Sequence, residues 1–164
     1  MNFSSKTSHT LHEEHRANLD LLGRAEQALA RAPRGEGARA PDLIKLIAAL
    51  TRNLEQDIER HFGFEERELF PRLSEAGDGA IAMLLTEEHE AIRAVAEELL
   101  PLTRAAASGT LDGVGWDALK RGALEMVERQ VAHIQKEEMA LLPMLDDLLD
   151  DETDARLAFD YAAG

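Results

Sequence analysis

Histidine and glutamate recur in this sequence at spacings that suit metal binding. The segments HFGFEERELFPRL (61–73) and HIQKEEMALLPML (133–145) share the pattern H-x-x-x-E-E-x-x-L-x-P-x-L. Residues four apart on an α-helix lie on one face about 6 Å apart along the axis. His61 with Glu65, and His133 with Glu137, would therefore each present two ligands side by side. Each pair is suited to hold one edge of a metal ion.

A further histidine precedes each of these segments at nearly the same distance. The tripeptide EEH occurs at 13–15 and at 87–89, so His15 lies 46 residues before His61 and His89 lies 44 residues before His133. Each half of the chain thus carries one histidine followed by H-x-x-x-E. We interpret the second half as a copy of the first, related to it by a pseudo-twofold axis.

Helices are the elements that must position these residues. Aromatic residues make up 4% of the chain, β-branched residues are sparse, and no apolar alternation typical of strands is sustained. Helical periodicity predicts four long helices over about residues 8–31, 41–73, 79–107 and 116–149. A short fifth helix or a frayed tail follows over 151–164. This pattern predicts an all-α protein that folds as an antiparallel up-down-up-down four-helix bundle. The C-terminal segment is predicted to be either a short helix or a tail.

Breakers and length define the expected organisation of the chain. Pro33, Gly35 and Gly37 predict a first loop. Pro41 marks the start of the second helix, and three later prolines, Pro71, Pro101 and Pro143, are expected to kink or end their helices locally. With 164 residues and 45% hydrophobic content, we expect a single domain over 1–164, with a bundle core at about 8–150 and a tail at 151–164.

The candidate ligands lie on the apolar faces of their predicted helices. His61 and Glu65, for example, continue the face that carries Leu54 and Ile58. A buried unpaired carboxylate costs several kcal/mol, and a multivalent cation removes that penalty. We therefore expect a dinuclear centre with terminal imidazoles, two bridging carboxylates, a solvent oxo or hydroxo bridge and open coordination positions. The six predicted ligands are His15, His61, Glu65, His89, His133 and Glu137.

Neighbouring side chains leave alternatives to this ligand set. His12 lies one turn before His15 and could face the core, as a fifth ligand or in place of His15. Glu66 and Glu138 lie five residues after their histidines, about 140° around the helix, a position that normally points out of the bundle. Glu65 and Glu137 are therefore the preferred carboxylate ligands.

Composition restricts the metal and the partners. The chain has no cysteine, so thiolate ligands and disulfides are excluded, and a set of nitrogen and oxygen ligands suits iron, manganese or zinc. A formal charge of −14 repels nucleic acids and anionic membranes. No apolar run approaches the ~20 residues of a membrane span, and the first residues do not resemble a signal peptide. We expect a cytoplasmic protein with neither nucleic acid nor membrane as partner.

Taken together, the motifs resemble a known family. H…HFxxEExxLFP…EHxxI…HxxxEExxLLP, over about residues 8–150, is similar to the hemerythrin-like family, also called the hemerythrin HHE cation-binding domain. The resemblance implies a four-helix bundle that holds a non-haem di-iron centre at the six positions above. Members of the family resemble oxygen carriers or stores, sensors of oxygen, nitric oxide or redox state, and proteins that dispose of peroxide or nitric oxide.

Two positions indicate the branch of the family. The oxygen-carrying branch has a second histidine four residues after the third-helix histidine, where this chain has Arg93. That branch also has a carboxylate five residues after the fourth-helix histidine, where Glu138 stands, so Glu138 is a further candidate ligand. The chain is more similar to the H-HxxxE-H-HxxxE branch, whose members resemble enzymes or sensors acting on peroxide or nitric oxide.

Function is expected to lie in the reaction of this centre with small molecules. Peroxide, nitric oxide and oxygen are the expected partners, with two iron ions as the cofactor. The alternatives are a reversible oxygen or nitric oxide sensor or store, an iron-binding protein without catalysis, and a metal-free interaction bundle. The sequence does not decide between enzyme and sensor, and it leaves the oligomeric state open.

Overall fold

The described residues are almost entirely helical. The computed structural model describes residues 3–32 and 40–164. Within these ranges there are five helices and no strand, so the all-α class predicted from the sequence is confirmed. The predicted loop residues Pro33, Gly35 and Gly37 lie outside the described ranges. The helices are α1 (Lys6–Arg31), α2 (41–75), α3 (Gly79–Ala107), α4 (113–148) and α5 (Asp151–Ala163).

The four long helices form a bundle in which each contacts two others. α1 packs against α2 and α4, and α3 packs against the same two helices. α5 packs against α1, so the segment predicted as a short helix or a frayed tail is a helix. None of the described helices is long and apolar enough to cross a membrane.

Two π-helical turns mark the same place in the two halves of the chain. One spans Glu65–Leu69 in α2 and the other spans Glu137–Leu141 in α4, so each begins at a predicted ligand. Each turn precedes a proline, Pro71 or Pro143. Because proline lacks an N–H and collides with the carbonyl four residues back in a regular α-helix, a wider turn lets the helix continue. The sequence pattern allowed each helix to end at its proline. In the structure both helices continue past it.

The N-terminus of α1 is bound by a carboxylate from α5. Asp154 accepts hydrogen bonds from the Ser5 hydroxyl at 2.7 Å and from the backbone N–H groups of Lys6 and Thr7 at 2.8 and 3.0 Å. These N–H groups have no partner within the helix itself, and a negative charge is favourable at this end of the helix dipole. Asp154 therefore fixes α5 to the first turn of α1.

The apolar core consists of two clusters. One contains Leu22, Ile47, Ile92, Leu99 and Met126, with other residues from the same end of the bundle. The other contains Leu11, Leu69, Leu85, Leu141 and Leu157 with their neighbours. On α1 the buried His15 lies between Leu11 and Leu22, and the other long helices carry their buried histidines between the two clusters in the same way. A buried polar layer thus separates the two clusters.

Candidate metal centre

The structure brings together all six predicted ligands in this layer. Each long helix contributes one histidine, and α2 and α4 each add one glutamate. None of the six is more than 8% exposed, and both glutamates are fully buried. The residues are His15, His61, His89, His133, Glu65 and Glu137.

The ligand atoms form two groups that share both glutamates. Within each group, one nitrogen or oxygen atom from each residue lies within 4.8 Å of the others. Either group offers two imidazoles and two carboxylates, a donor set that suits a divalent metal ion. The first group is His15, His61, Glu65 and Glu137, and the second is His89, His133, Glu65 and Glu137.

Each shared glutamate turns one oxygen towards each group. Glu65 Oε1 lies 2.6 Å from Nε2 of His61, in the first group, and Glu65 Oε2 lies 3.1 Å from Nε2 of His89, in the second. Glu137 repeats this division, with Oε2 at 2.9 Å from His15 Nε2 and Oε1 at 2.7 Å from His133 Nε2. Both carboxylates thus lie between the two groups.

The four oxygens of Glu65 and Glu137 have no hydrogen-bond partner among the described residues. The imidazole nitrogens are close to them, but the contacts are not aligned as hydrogen bonds. Within the first group the Nε2 atoms of His15 and His61 lie 3.2 Å apart. Two nitrogens bound to one metal at about 2.1 Å and at a right angle lie about 3 Å apart. Because buried carboxylates without a donor are costly, these residues fit a bound cation.

Every imidazole of the centre is also held on its outer side by a glutamate. We call Glu14, Glu66, Glu88 and Glu138 the outer glutamates. Each comes from the helix before that of its histidine, with α4 counted as the helix before α1. Nδ1 donates to the carboxylate at 2.9 Å in His61–Glu14, 2.9 Å in His89–Glu66, 3.3 Å in His133–Glu88 and 2.9 Å in His15–Glu138.

These outer contacts determine which nitrogen faces the centre. A carboxylate only accepts hydrogen bonds, so the proton of each neutral imidazole lies on Nδ1 and the lone pair of Nε2 points inward. A glutamate behind a metal-binding histidine fixes the ring and makes its nitrogen more basic. The parallel ring of Phe62, 3.7 Å from the His89 ring, further restrains that imidazole.

Two alternative ligands from the sequence lie outside the two groups. Glu138 accepts from Nδ1 of both His12 and His15 at 2.9 Å, and neither Glu138 nor His12 belongs to a candidate metal group in the described chain. The His12 side chain is 23% exposed. The prediction that Glu66 and Glu138 point out of the bundle is wrong. A side chain turned 140° from the centre still faces the neighbouring helix. There each of these long side chains reaches a histidine.

Of the outer glutamates only Glu138 was predicted as a functional residue, as a further candidate ligand, although the repeat contains a signal for all four. Glu14 and Glu88 are the second glutamate of the two EEH tripeptides, and Glu66 and Glu138 are the second glutamate of the two H-x-x-x-E-E segments. Both halves therefore repeat them in register with the ligands. Periodicity on a single helix does not reveal their partners, which lie on other helices.

Charge and burial act in opposite directions on the histidines in the metal-free chain. Burial lowers the pKa of His15, but the carboxylates of Glu137 and Glu138 outweigh it and raise the pKa to about 9. The same balance, with Glu137 and Glu65 as the carboxylates, raises the pKa of His89 to about 9. Burial raises the pKa of Glu137, but His133, His15 and His61 together outweigh it and hold that pKa well below its usual value. The centre without metal therefore retains protons that a cation would displace.

Arg93 takes no part in the two groups. Its guanidinium donates to Glu59 at 2.9 Å and to Glu66 at 2.8 Å. Burial raises the pKa of Glu66, but the hydrogen bonds from Arg93 and His89 outweigh it and lower that pKa below its usual value. Arg93 thus supports the outer carboxylate of His89 at the position where the oxygen-carrying branch has a histidine.

A cavity of about 310 Å³ lies against one side of the centre. His15, His61 and His133 line it, and residues of α1, α2 and α4 complete its walls. At its rim, Glu14 and Arg60 are partly exposed. Three of the four histidines of the centre therefore border this cavity.

A helical bundle with buried histidines and shared carboxylates defines a metal-binding protein of the all-α class. The model of the hemerythrin HHE cation-binding domain family matches residues 6–145. The chain belongs to this family, and the resemblance found in the sequence motifs is confirmed. A search of curated proteins finds no significant match. α5 lies beyond the matched residues.

Proposed function

We propose that the protein binds two iron ions at this centre and that the bound iron reacts with peroxide or nitric oxide. One observation carries the proposal. Glu65 and Glu137 each direct one oxygen to each of two groups of ligand atoms. That division is the arrangement expected of carboxylates that bridge two ions, with His15 and His61 on one ion and His89 and His133 on the other.

Iron is the proposed metal because the ligands are nitrogen and oxygen without thiolate and because the family binds cations. Zinc suits the same ligands but does not change oxidation state, and manganese is the alternative redox-active metal. Bound iron would supply a change of oxidation state and Lewis acidity. The protein would supply fixed imidazoles, through the outer glutamates, and an apolar surrounding that limits access of water.

Arg93 supports a reaction rather than reversible oxygen carriage. Its side chain donates hydrogen bonds to Glu59 and Glu66. The group of ligand atoms that contains His89 therefore has no further imidazole at this position. Fewer protein ligands leave more positions for an exchangeable molecule. A reversible oxygen or nitric oxide sensor or store, and iron binding without catalysis, are the alternatives that the experiment below separates.

We also infer that the four long helices alternate in direction. His15 contacts His61 while Asn18 bonds Asn53, so residue numbers rise along α1 as they fall along α2. The contacts of two further neighbouring pairs support the same order. They are Glu66–His89 and Glu55–Arg104 for α2 with α3, and Ser8–Leu142 and Ala32–Lys120 for α1 with α4.

The proposed partners are small molecules in the cytoplasm. The formal charge of −14 supports small molecules as partners, since it disfavours binding of nucleic acids and anionic membranes. The cavity that reaches three histidines supports access for a small neutral molecule.

The test begins with elemental analysis of the full chain purified without added metal and again after anaerobic iron loading. About two irons per chain would support the proposal, and no bound iron after loading would reject it. Stopped-flow spectra with peroxide, nitric oxide and oxygen would follow. Repeated consumption of peroxide or nitric oxide supports an enzyme, whereas a stable, reversible oxygen complex would reject the enzymatic reading in favour of a store or sensor.

A further inference from the structure

Aromatic rings pack on the imidazoles of the second group of ligand atoms. The ring of Phe62 lies parallel to the ring of His89, with 3.7 Å between their centroids, and the ring of Phe70 lies 5.2 Å from that of His89. Phe62 also meets the ring of His133 edge-on at 5.6 Å. One phenylalanine therefore contacts both imidazoles of this group.

The first group lacks such a cover. His61 meets the rings of Phe62 and Tyr161 only edge-on, at 6.3 and 6.5 Å. His15 contacts the ring of His61 at 5.0 Å and no other aromatic ring of the described chain. Neither imidazole of the first group is therefore stacked against a phenylalanine.

The repeat locates this difference between the two halves. Phe62 of α2 corresponds to Ile134 of α4. Phe62 stacks on His89 of the next helix, so the pseudo-twofold axis places Ile134 beside His15. Ile134 and His15 both line the cavity of about 310 Å³. The cavity thus borders the half in which a smaller aliphatic side chain replaces the ring.

The cavity is also unequally shared between the two groups. Both imidazoles of the first group, His15 and His61, line it, whereas the second group borders it only through His133. His61 is 8% exposed and His89 is fully buried. A cavity of this volume with polar walls is large enough for water. Solvent therefore lies closer to both imidazoles of the first group than to His89.

His89 is restrained on its outer side as well. Its Nδ1 donates to Glu66 at 2.9 Å, and Glu66 accepts from Arg93 at 2.8 Å. An imidazole must turn away to release a metal ion. For His89 this movement breaks the outer hydrogen bond and also displaces Phe62 from a close-packed core. For His15 it breaks an outer hydrogen bond beside free volume.

We infer that the centre holds two unequal metal ions: the ion at His89 and His133 is retained, and the ion at His15 and His61 exchanges with solvent. After that exchange the retained ion keeps two imidazoles and the carboxylates of both shared glutamates. Four protein ligands are the number found in closed structural zinc sites. The inference rests on the two-ion centre of the proposed function and assigns its two positions different roles.

Zinc release tests the inference. The full chain is loaded with two zinc ions and mixed with an excess of the chelating dye 4-(2-pyridylazo)resorcinol, whose absorbance reports the released metal. Two phases of one zinc ion each are expected, with rates at least about tenfold apart. Cobalt(II) added to the zinc-loaded chain should accordingly replace one zinc ion much faster than the other.

Histidine variants assign the two phases to the two groups. His15→Ala should abolish the rapid phase and keep one slowly released ion, because the second group retains its four ligands. His89→Ala should abolish the slow phase. Loss of the slow phase in a folded His15→Ala protein would overturn the inference.

Exchanging the residues that differ between the halves tests the cause. Phe62→Ile should accelerate the slow phase about tenfold or more and change the rapid phase less. Ile134→Phe should slow the rapid phase, and it provides the test if Phe62→Ile does not fold. Phe159→Ile, the same change at a 73% exposed position of α5, should alter neither rate. Equal acceleration by Phe62→Ile and Phe159→Ile would contradict the role of Phe62.

The outcomes separate this inference from the proposed function. Two zinc ions released at a single rate would overturn the unequal positions and leave the proposed function standing. Failure of iron to bind after anaerobic loading, with zinc still released in two phases, would reject only the proposed function. Fewer than two zinc ions per folded chain would overturn the inference.

Discussion

Tyr161 in α5 donates a hydrogen bond from its hydroxyl to the carboxylate of Glu14, and the same carboxylate accepts from His61 Nδ1 at 2.9 Å. Arg60 lies over the Tyr161 ring, with 4.4 Å from the guanidinium carbon to the ring centroid. Burial raises the pKa of Tyr161, so the hydroxyl keeps its proton and acts as a donor. A helix beyond the family-matched residues therefore supports the outer glutamate of a predicted ligand.

Replacing Glu14 by Gln should weaken metal binding by about 10- to 100-fold, because the carboxylate orients His61 and increases the basicity of its ring. Tyr161→Phe should have a smaller effect, since it leaves the carboxylate in place. The affinity is measured by competition with a chelator. Glu13→Gln is the matched control, as Glu13 is the neighbouring glutamate with a 53% exposed side chain. Equal weakening by both glutamine variants would contradict the role of Glu14.

Glu65→Ala or Glu137→Ala should remove most of the bound metal, because each carboxylate directs an oxygen to both groups of ligand atoms. Glu66→Ala and Glu138→Ala should keep two ions per chain at lower affinity, since they alter only the outer contact of one histidine. Metal per folded chain is measured by elemental analysis after gel filtration. The same metal loss in all four variants would show that the inner and outer positions do not differ.

Metal affinity should rise with pH between about pH 7 and 9. The pKa values of His15 and His89 are raised to about 9 in the metal-free chain, so below that pH a cation must displace a proton from each. The expected gain is about tenfold or more for each pH unit between 7 and 9. The same protons stabilise the metal-free fold fully below the unfolded pKa of about 6.5, and this contribution is lost as pH rises through 9.

The pH dependence is measured with zinc and a chelator of known proton affinity at pH 7, 8 and 9. His15→Ala should reduce the slope of log affinity against pH, whereas His9→Ala, at an exposed position of α1, should leave it unchanged. A flat profile in the wild type would be inconsistent with protonated histidines in the metal-free centre.

Asp154→Asn should destabilise the protein by about 2 kcal/mol at pH 7, because a charged acceptor at the start of α1 is replaced by a neutral amide. Burial raises the pKa of Asp154, but the hydrogen bonds from Thr7, Ser5 and Lys6 outweigh it and lower the pKa below its ordinary value of 3.8. The contribution of the charge is thus present above that value and is lost as pH falls through the folded-state pKa.

The difference in unfolding free energy between wild type and Asp154→Asn should therefore shrink as the pH is lowered from 7 to 3. Urea unfolding at both pH values measures it. Asp160→Asn, an exposed change in the same helix, should have little effect at either pH. A constant difference at both pH values would show that the charge of Asp154 is not what stabilises α1.

Sequence patterns predicted the inner part of the centre because helical geometry is local. The interval of four residues places His61 beside Glu65 whatever the rest of the chain does, and the EEH repeat indicated His15 and His89. The predicted helix over 8–31 and the observed Lys6–Arg31 differ only at the start, where Ser5 and Asp154 determine the first turn. Capping by a residue from α5 is not visible in the sequence of α1.

The outer contacts and the cavity could not be predicted in the same way. The His15–Glu138 contact joins residues 123 positions apart, and it depends on how α1 and α4 are rotated against each other. The unpartnered amides of Asn53 and Gln130 likewise become evident only when three helices are in place. Composition assigns such residues to polar surface, whereas the fold buries them.

The separation of the core into two apolar clusters has a consequence for cooperativity. Leu11 and Leu22 lie on the same helix but belong to different clusters, with His15 between them. Two bound cations, one in each group of ligand atoms, would together cross-link all four long helices at this level and make both ends of the bundle open together. Without them, amide hydrogens around Leu11 and around Leu22 should exchange with different opening free energies, because each end then depends on its own hydrocarbon contacts.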